Sequence, residues 1–517
     1  MFGTVDIGLG CQPAVAKASP AAPRTFSREK IESIRARYDA ALTTDENVKQ
    51  WPLVDFFSAK AANSFEVRRI LRMRSRYVVQ NNPLAAGVVD TLALDTIGDG
   101  PRLQALFDDP AKNAAIEKAW IRWCRATNLM RRLRVAMMAK VTDGEVFFLK
   151  KNRKSQDDAV KLYHQDIETD QVQTVSPGFQ SGYFVDGLEL DELGLPTTYH
   201  VLKRHPGDLT NMRLHYGPLE HVRVPARYVI HWFHRYRPGQ VRGIPELTPS
   251  LNLFESLRRI DKATLTAMEW AAVMSAVLET ELAPDDADTA AVGAPWEYWD
   301  PDAGVVTTLP AGYKLKQLNP TQPGSTHKEF TGTQVAHAGR PVGMPYNVVT
   351  CNSSGYNFSS GRLDHLPYHR RVSIERTDAE EIVMDQFLAD WLDEAVMVED
   401  YFGGFDVPSL IEQVPHMWHW PKMDSIDPQK DAAADAQNLA NGTSSRTGIC
   451  GRMGTEYRQV RREQAAEIAF DRELAKEFDL PDNWADGLRP NMPTPTGADE
   501  DSEPKPGDKA KREAVAA

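Results

Sequence analysis

Apolar and small side chains recur at Leu251, Phe254, Leu257, Ile260, Thr264, Ala267, Ala271, Met274 and Leu278, in steps of three and four that trace one stripe along one helix face. No Gly or Pro interrupts 250–278. Thr248 before Pro249 makes a helix start, with a hydroxyl to cap a free amide and a proline suited to the first turn. The pattern predicts a rod over 248–279, about 45 Å long at 1.5 Å per residue. A helix with so narrow an apolar face cannot bury itself, and its small-residue far half allows close approach. We expect the neighbours to be copies of the same chain.

Ahead of the rod, helical periodicity starts near Ser27 and returns over 64–95 and 111–127. The second stretch breaks at Asn81-Asn82-Pro83, because proline disfavours helical torsions in the residue before it. From 135 to 234 the period shortens toward two. There 146–149, 161–163, 197–202 and 228–233 read as strands, with turns at Asp186-Gly187 and 192–196. The fold class is therefore α+β, helix-rich, with an antiparallel sheet. Behind the rod, 283–293 is acidic and loop-like, and 296–299, 304–309 and 313–318 suggest short strands with a hairpin turn at 302–304. A weaker helical segment at 326–338 leads to a loop at 339–361 and a long helical region at 362–399, followed by helical blocks at 429–441 and 453–478. Residues 1–25 are expected to be flexible and 481–517 to form a disordered tail.

Composition narrows the function. The chain has 517 residues, enough for several domains, and its 42% hydrophobic and 26% charged residues are ordinary globular material. A net charge of −12 argues against gripping DNA by bulk charge. Cys11, Cys124, Cys351 and Cys450 lie far apart with no CxxC spacing, which fits a reducing cytoplasm rather than a zinc site or a disulfide framework. The N-terminus does not read as a signal peptide, and no apolar run reaches the roughly 18–20 residues of a membrane span. The basic run Arg68, Arg69, Arg72, Arg74 and Arg76 reads as a solvated helix face or an intersubunit ion-pair surface rather than a nucleic-acid site.

Catalytic patterns are absent. There is no GxxxxGK[ST], HExxH or GxSxG. His231 and His234 fall on opposite faces of a strand, and His416 and His419 sit among tryptophans, so packing roles are expected for all four. His365 and His369 with Asp364 come nearest to a metal pair, although Pro367 between them weakens the helix they need. Asp143-Gly-Glu145 and Asp424…Asp427 read as turn and cap residues. The loop from Cys351 to Arg362 offers possible nucleophiles but no recognisable base. We expect no catalytic residues, no metal and no cofactor.

A co-linear set of segments carries a resemblance. It comprises Arg74-Ser-Arg-Tyr with Asn81-Asn-Pro83 and Gly87-Val-Val-Asp90, Gly98-Asp-Gly-Pro-Arg-Leu-Gln104, and Asp143-Gly-Glu145. Further on come Asp186–Gly194 with Thr198-Tyr-His200, Val224-Pro-Ala with His231, and Arg237-Pro-Gly-Gln-Val-Arg-Gly-Ile-Pro245. Last are Met344-Pro-Tyr346, the Tyr356–Arg362 loop and Asp427-Pro-Gln-Lys-Asp431. Over about residues 25–480 the chain resembles the portal (head–tail connector) proteins of tailed double-stranded DNA phages, the lambda-type portal family. It departs from that pattern at Cys351-Asn352, where Gly-Asp is common, and at Gly339-Arg-Pro341, which interrupts what is usually a more apolar helix.

The resemblance implies a portal-type subunit, assembled as a ring of usually twelve copies at one capsid vertex. Its parts would be a wing at 26–247, a first stem helix at 248–279 and a small α/β clip at 280–324. A second stem helix at 325–340, a tunnel loop region at 341–361, a wing return at 362–425 and a helical crown at 426–480 would follow. Double-stranded DNA would pass through, with Asn347, Asn352, Ser353, Tyr356, Asn357 and Arg362 lining or supporting the narrowest part. Stem packing would fall to Leu251, Phe254, Leu257, Ile260, Ala267, Ala271 and Met274. Implied partners are the terminase large subunit, head-completion or adaptor proteins, and major capsid and scaffold proteins, with no membrane. The implied location is the virion, with host cytoplasm during assembly. An acidic chain with isolated cations such as Arg340 and Arg362 suits a passage, since a strongly basic tunnel would hold DNA rather than let it slide. The rival readings are a metal-dependent hydrolase or nuclease of a phage module using Asp364, His365 and His369, and a non-portal capsid or adaptor protein.

Overall fold

The computed structural model describes residues 56–173, 183–208, 220–273, 277–280, 313–316, 326–421, 423, 428–453, 455 and 457–479. The chain divides into two units, Met1–Ala62 and Asn63–Ala517. In the first, a single helical turn, Ala59–Ala62, is described. All that follows belongs to the second.

Helix α1 (Phe65–Asn81) starts at Ser64, whose hydroxyl accepts from the Val67 amide. Asn82 closes it, donating its own amide to Val78 O at 2.8 Å. The same residue opens α2 (Pro83–Ile97), its Oδ1 accepting from Leu84 and Ala85. The expected break at 81–83 is therefore a double cap, with proline in the first turn where it loses no hydrogen bond. Helix α2 buries Ala85, Val88, Val89, Leu92, Ala93 and Ile97. These positions recur at helical spacing and turn one face to the core, while Gly87, Asp90 and Leu94 on the other face are exposed. Strand β1 (Arg102–Ala105) and helices α3 (Pro110–Thr127) and α4 (Leu129–Asp143) follow. Helix α4 corrects the expected start of period two at 135: Leu133, Ala136, Met137, Lys140 and Val141 are buried at helical spacing. The strand pattern begins only after Gly144 ends the helix in a left-handed conformation.

The strands are β2 (Glu145–Asn152), β3 (Leu162–Ile167), β4 (Phe184–Val185), β5 (Leu188–Leu190), β6 (Pro196–Leu202), β7 (His221–Pro225) and β8 (Val229–Phe233). They form two antiparallel sheets, β3-β2-β8 and β4-β5-β6-β7. Alternation along β2 divides the interior. Phe147 and Leu149 join Tyr199, Val201 and Leu188 in a small core with the four-stranded sheet. Val146 and Phe148 point the other way, into the main core.

After a 3₁₀ turn, Thr248–Ser250, the rod is helix α5 (Leu251–Val273). The Thr248 hydroxyl donates back to Pro245 O at 2.6 Å and caps no amide. The rod ends earlier than 279, because Val277–Thr280 is strand β9, paired antiparallel with β10 (Tyr313–Lys316) and placing Leu278 opposite Leu315. Val and Thr there favour the extended pairing over another helical turn. The strands and turn expected within 296–309, the acidic loop at 283–293, the 1–25 segment and the 481–517 tail lie outside the described residues.

Helix α6 (His327–Gly339) continues as a 3₁₀ turn, Arg340–Val342, and is followed by the short α7 (Tyr346–Thr350). The long region expected at 362–399 is α8 (Phe358–Ala379), a π-helical turn at Glu380–Met384, and α9 (Asp385–Ala395). Strand β11 (His416–His419) pairs with β1. Helices α10 (Pro428–Ala440), α11 (Arg446–Arg452) and α12 (Tyr457–Glu477) end the described chain. The main core centres on Trp120, whose ring lies 5.1, 5.2 and 5.6 Å from those of Trp123, Trp391 and Trp418, joining α3, α9 and β11.

Candidate functional site

The loop between α7 and α8 is built by its own polar side chains. Cys351 takes a left-handed conformation at φ 50° and ends α7. The Asn352 amide donates to Asn347 O at 3.0 Å, and Asn352 Oδ1 accepts from the Ser354 amide at 3.0 Å. Asn357 then opens α8 by a capping box: the Ser360 amide donates to Asn357 Oδ1 at 2.9 Å and the Asn357 amide donates to Ser360 Oγ at 3.2 Å. Cys351, Asn352, Ser353, Asn357 and Arg362 are exposed and Tyr356 is half-buried. Burial, with Asp364 and Tyr346 adding to it, pushes the Tyr356 phenol up, so it stays a neutral donor and acceptor. Asn347 differs from the other candidates. It is buried, with Nδ2 and His365 Nε2 2.9 Å apart, and so braces the first turns of α8 rather than facing solvent.

Beyond Pro367, α8 is fixed hard. The Tyr368 hydroxyl donates to Asp95. Arg376 donates to the carbonyls of Thr96 (2.9 Å), Asp95 (2.8 Å) and Pro421 (2.9 Å). Lys140 of α4 reaches Glu246 at 2.6 Å and Glu375 at 2.8 Å, and Arg371 reaches Glu246 at 2.9 Å. Burial alone would push Glu246 up, but Lys140 and Arg371 outweigh it and hold the carboxyl below its usual range. Burial alone would lower Lys140, and Glu246 and Glu375 reverse that. Buried charges persist only when matched in this way. The network ties the helix after the loop to the residues that lead into the rod.

A second buried network holds the sheet to the same junction. Arg242 Nη2 and Nε donate to Glu145 at 2.6 and 3.0 Å, and Nη1 donates to Val172 O at 3.0 Å and to Asp186 O. Glu145 also accepts from the Gly243 amide at 2.7 Å and lies 3.0 Å from His231 Nε2. Here Gly144 and Gly243 pass backbone to backbone. A Cβ on Gly144 would stand 2.3 Å from Ile244 C, and one on Gly243 would stand 2.1 Å from Gly144 O. The Asp143-Gly-Glu145 and Arg242-Gly-Ile-Pro245 segments are thus one site, and Asp143 and Glu145 do more than the turn and cap work expected of them. Asp143 receives Arg76 through two bonds of 2.7 Å.

The basic run of α1 is corrected likewise. Arg68 and Arg72 are buried, and their guanidiniums pair within the chain, Arg68 with Asp186 and Arg72 with Asp170 at 2.8 Å. With Arg76 on Asp143 and on Asp170 at 2.7 Å, three of the five cations face inward. They form neither a solvated face nor an intersubunit one; Arg69 and Arg74 remain exposed. Pattern alone hid this, because the acids that turn these arginines inward lie about 70–120 residues away.

The rod's stripe also divides. Leu251, Phe254 and Leu257 are buried in this chain's own main core, where α5 packs against α1 and α6. Their cover is therefore internal, not a sister copy. Ile260 and Ala267 are half-buried, while Leu265 and Met268 are exposed. Nothing of the Ala271 side chain is described, and Met274 lies outside the described residues.

Asp364, His365 and His369 do not converge as a set of metal ligands among the described residues. His365 is engaged with Asn347, and its ring crosses that of His369 at 83° with centroids 5.6 Å apart. The ligating side chains that do converge are Glu168, Asp170 and His205. Arg72 and Arg76 already occupy Asp170, and Arg76 also reaches Glu168 at 3.5 Å, so cations of the chain itself neutralise that cluster. His416, read as a packing residue, stands 3.4 Å from Asp385, which is 31 residues earlier and raises its pKa. No helix among the described residues is long and apolar enough to cross a membrane.

The family model described as phage portal protein, lambda family, matches residues 55–376, and the chain belongs to that family. It is 25% identical over 337 residues to a probable portal protein of Halomonas phage phiHAP-1, covering 62% of this chain and 61% of the relative. The match thus spans under two thirds of the relative's length. Solved chains with a similar course include one from the neck of a native GTA particle (12% identity, 74% of this chain and 92% of that one, TM-score 0.40). Another is an HK97 family phage portal protein from Corynebacterium diphtheriae (13% identity, 70% and 98%, TM-score 0.28). At those scores the likeness carries no argument of its own.

Proposed function

We propose that the chain is a portal protein: copies close into a ring at one capsid vertex, and double-stranded DNA passes through the hole during packaging and ejection. The observation that carries this is membership of the lambda portal family over 55–376. The geometry supports it. An exposed, side-chain-capped loop stands at the head of a helix whose remainder is locked by buried ion pairs, so the loop is presented from a stiff base. From Cys351 to Arg362 that loop and first helical turn hold a single charged residue, Arg362. Weak, replaceable contacts of this kind let a polyanion slide.

In this reading 26–247 and 362–425 are the wing, 248–273 and 325–340 the stem, 277–324 with its strand pair the clip, 341–361 the tunnel loop region and 426–480 the crown. The role is structural, not enzymatic. The clip meets the terminase large subunit and later the head-completion or adaptor proteins, and the outer surface meets the major capsid and scaffold proteins at the virion vertex, after assembly in the host cytoplasm. By the family's usual number, twelve copies of 57.8 kDa give a particle of about 690 kDa. Negative-stain class averages of the purified chain should show a ring with a central hole, and a phage lacking this gene should package DNA only when the chain is supplied. Tyr356→Ala and Arg362→Ala chains should form rings yet lose packaging rate or genome retention. Normal rate and retention in both would remove the loop assignment.

A further inference from the structure

Helices α3 and α4 hold a surplus of positive charge. Between Pro110 and Lys140 there are eight Lys or Arg and one acid, Glu117, in a chain of net charge −12. Arg122, Arg132 and Lys140 are paired with Asp158, Asp166 and Glu246. Arg125 and Arg131 are exposed and meet no carboxylate among the described residues. Both stand at a groove of about 590 Å³ where α3 turns into α4, with Arg102, His419 and Thr455 also in its lining. Asp99 and Glu117 are the acids there, and Glu117 accepts the Ala105 amide at 2.9 Å. Asn128 and Met130 bring in the start of α4, a 15-residue helix with no side-chain cap, so its positive end adds to the arginines. Part of the wall is Trp120, 1% exposed, whose indole N–H has no acceptor among the described residues. Donors and positive charge without a matching anion describe a seat for carboxylates.

One segment of this chain has the complementary charge. Asp499, Glu500, Asp501 and Glu503 stand together, with no base between Arg489 and Lys505. We propose that this acidic run, 499–503, seats in the groove of its own chain, its carboxylates meeting Arg125, Arg131 and the start of α4. The tether is long enough. Thr455 lines the groove, and α12 starts two residues later and runs for 21 residues, about 31 Å at 1.5 Å per residue. From Asp479 to Asp499 there are twenty residues, which reach about 66 Å when extended and average about 25 Å end to end. Such a tether holds the run near the groove at an effective concentration of about a millimolar. An extended peptide can enter a groove of this size, whereas a stiff, wide duplex would meet its rim alone. The seating is independent of ring closure.

A chain ending at Gly497 and a fluorescein-labelled peptide of residues 496–505 test this by anisotropy. The shortened chain should bind the peptide, and less tightly as salt rises. The full chain should bind it at least about 10-fold more weakly, because its own acidic run holds the groove. Arg125→Glu/Arg131→Glu in the shortened chain should abolish binding with far-UV circular dichroism unchanged, since both side chains are exposed. In a full chain with Cys11, Cys351 and Cys450 changed to Ser, the Arg131→Cys/Ser502→Cys pair should close a disulfide within one chain under mild oxidation, read by peptide mass. No peptide binding to the shortened chain, equal binding by the two chains, binding that survives the double reversal, or disulfides between chains alone would overturn the proposal. So would a labelled short DNA duplex that binds through the same two arginines where the peptide does not, which would make the groove a nucleic-acid site.

Discussion

Replacing Arg242 with Met would show how much of the fold depends on the clasp between sheet and rod. Arg242 is 1% exposed and Glu145 0%. The guanidinium supplies bonds to Glu145 and to the carbonyls of Val172 and Asp186. Methionine fills much of the same volume but leaves the buried carboxylate with the Gly243 amide and His231 alone. Removing one partner of a buried pair costs about 3–5 kcal/mol. The loss should appear as a fall in the urea midpoint, followed by tryptophan fluorescence, at unchanged slope. It also carries a pH signature. Burial alone would raise Glu145, and Arg242 with His231 outweighs it, so the folded carboxyl sits well below its usual range. In the parent, that contribution is present above the unfolded value near 4.3 and lost as pH falls through the depressed folded value. In the variant, the carboxyl rises and His231 accepts a proton more readily, so the deficit should be larger at pH 8 than at pH 5.5. Arg242→Met/Glu145→Gln should recover part of the loss, since neither charge then remains buried. A deficit below about 1 kcal/mol at pH 8, or no recovery in the double variant, would refute the reasoning.

Other outcomes follow from the same geometry. Phe254→Ala should destabilise the dissociated chain by about 3–5 kcal/mol in urea unfolding, while Leu265→Ala, at a 57% exposed position of the same rod, should change it by less than about 0.5 kcal/mol. Asn357→Ala removes a helix cap worth about 1 kcal/mol and should speed hydrogen exchange at Ser360 and Gly361 while leaving the global unfolding midpoint nearly fixed. The hydrogen bond to Asp385 raises the folded pKa of His416, so its contribution is fully present below the unfolded value near 6.5 and is lost as pH rises through the folded one. His416→Gln should flatten that part of the stability profile between pH 5.5 and 8. Native thiol labelling read by mass should modify the exposed Cys351 and spare Cys124, which is buried and whose thiol burial pushes up.

Local rules carried far along this chain. Pro83 and the asparagines before it announce the α1–α2 joint, and the strands near 146–149, 197–202 and 228–233 announce themselves by period two. What stayed hidden depends on distant partners. Nothing near Arg68, Arg72 or Arg76 in sequence shows that Asp186, Asp170 and Asp143 will draw them inward. The Leu251–Phe254–Leu257 stripe looks the same whether α1 and α6 or another molecule covers it. The rod's end is not legible locally, because Val277 and Leu278 suit a helix face as well as a strand, and only the pairing with Lys316 and Leu315 decides. In the loop, the small polar composition was visible, but the split between exposed Asn352 and buried Asn347 follows from contact with His365.

Asn82 joins three helices at one point, since besides closing α1 and opening α2 its Nδ2 donates to Phe254 O in the rod at 3.0 Å. Asparagines age chemically when the next residue's backbone nitrogen attacks the side-chain amide and expels ammonia. The residue after Asn82 is Pro83, whose nitrogen carries no hydrogen and cannot form that ring. The hinge of the fold is therefore shielded from this route of slow decay. In the proposed role, where the subunit would wait inside a particle long after synthesis, the proline that shapes the joint would also preserve it.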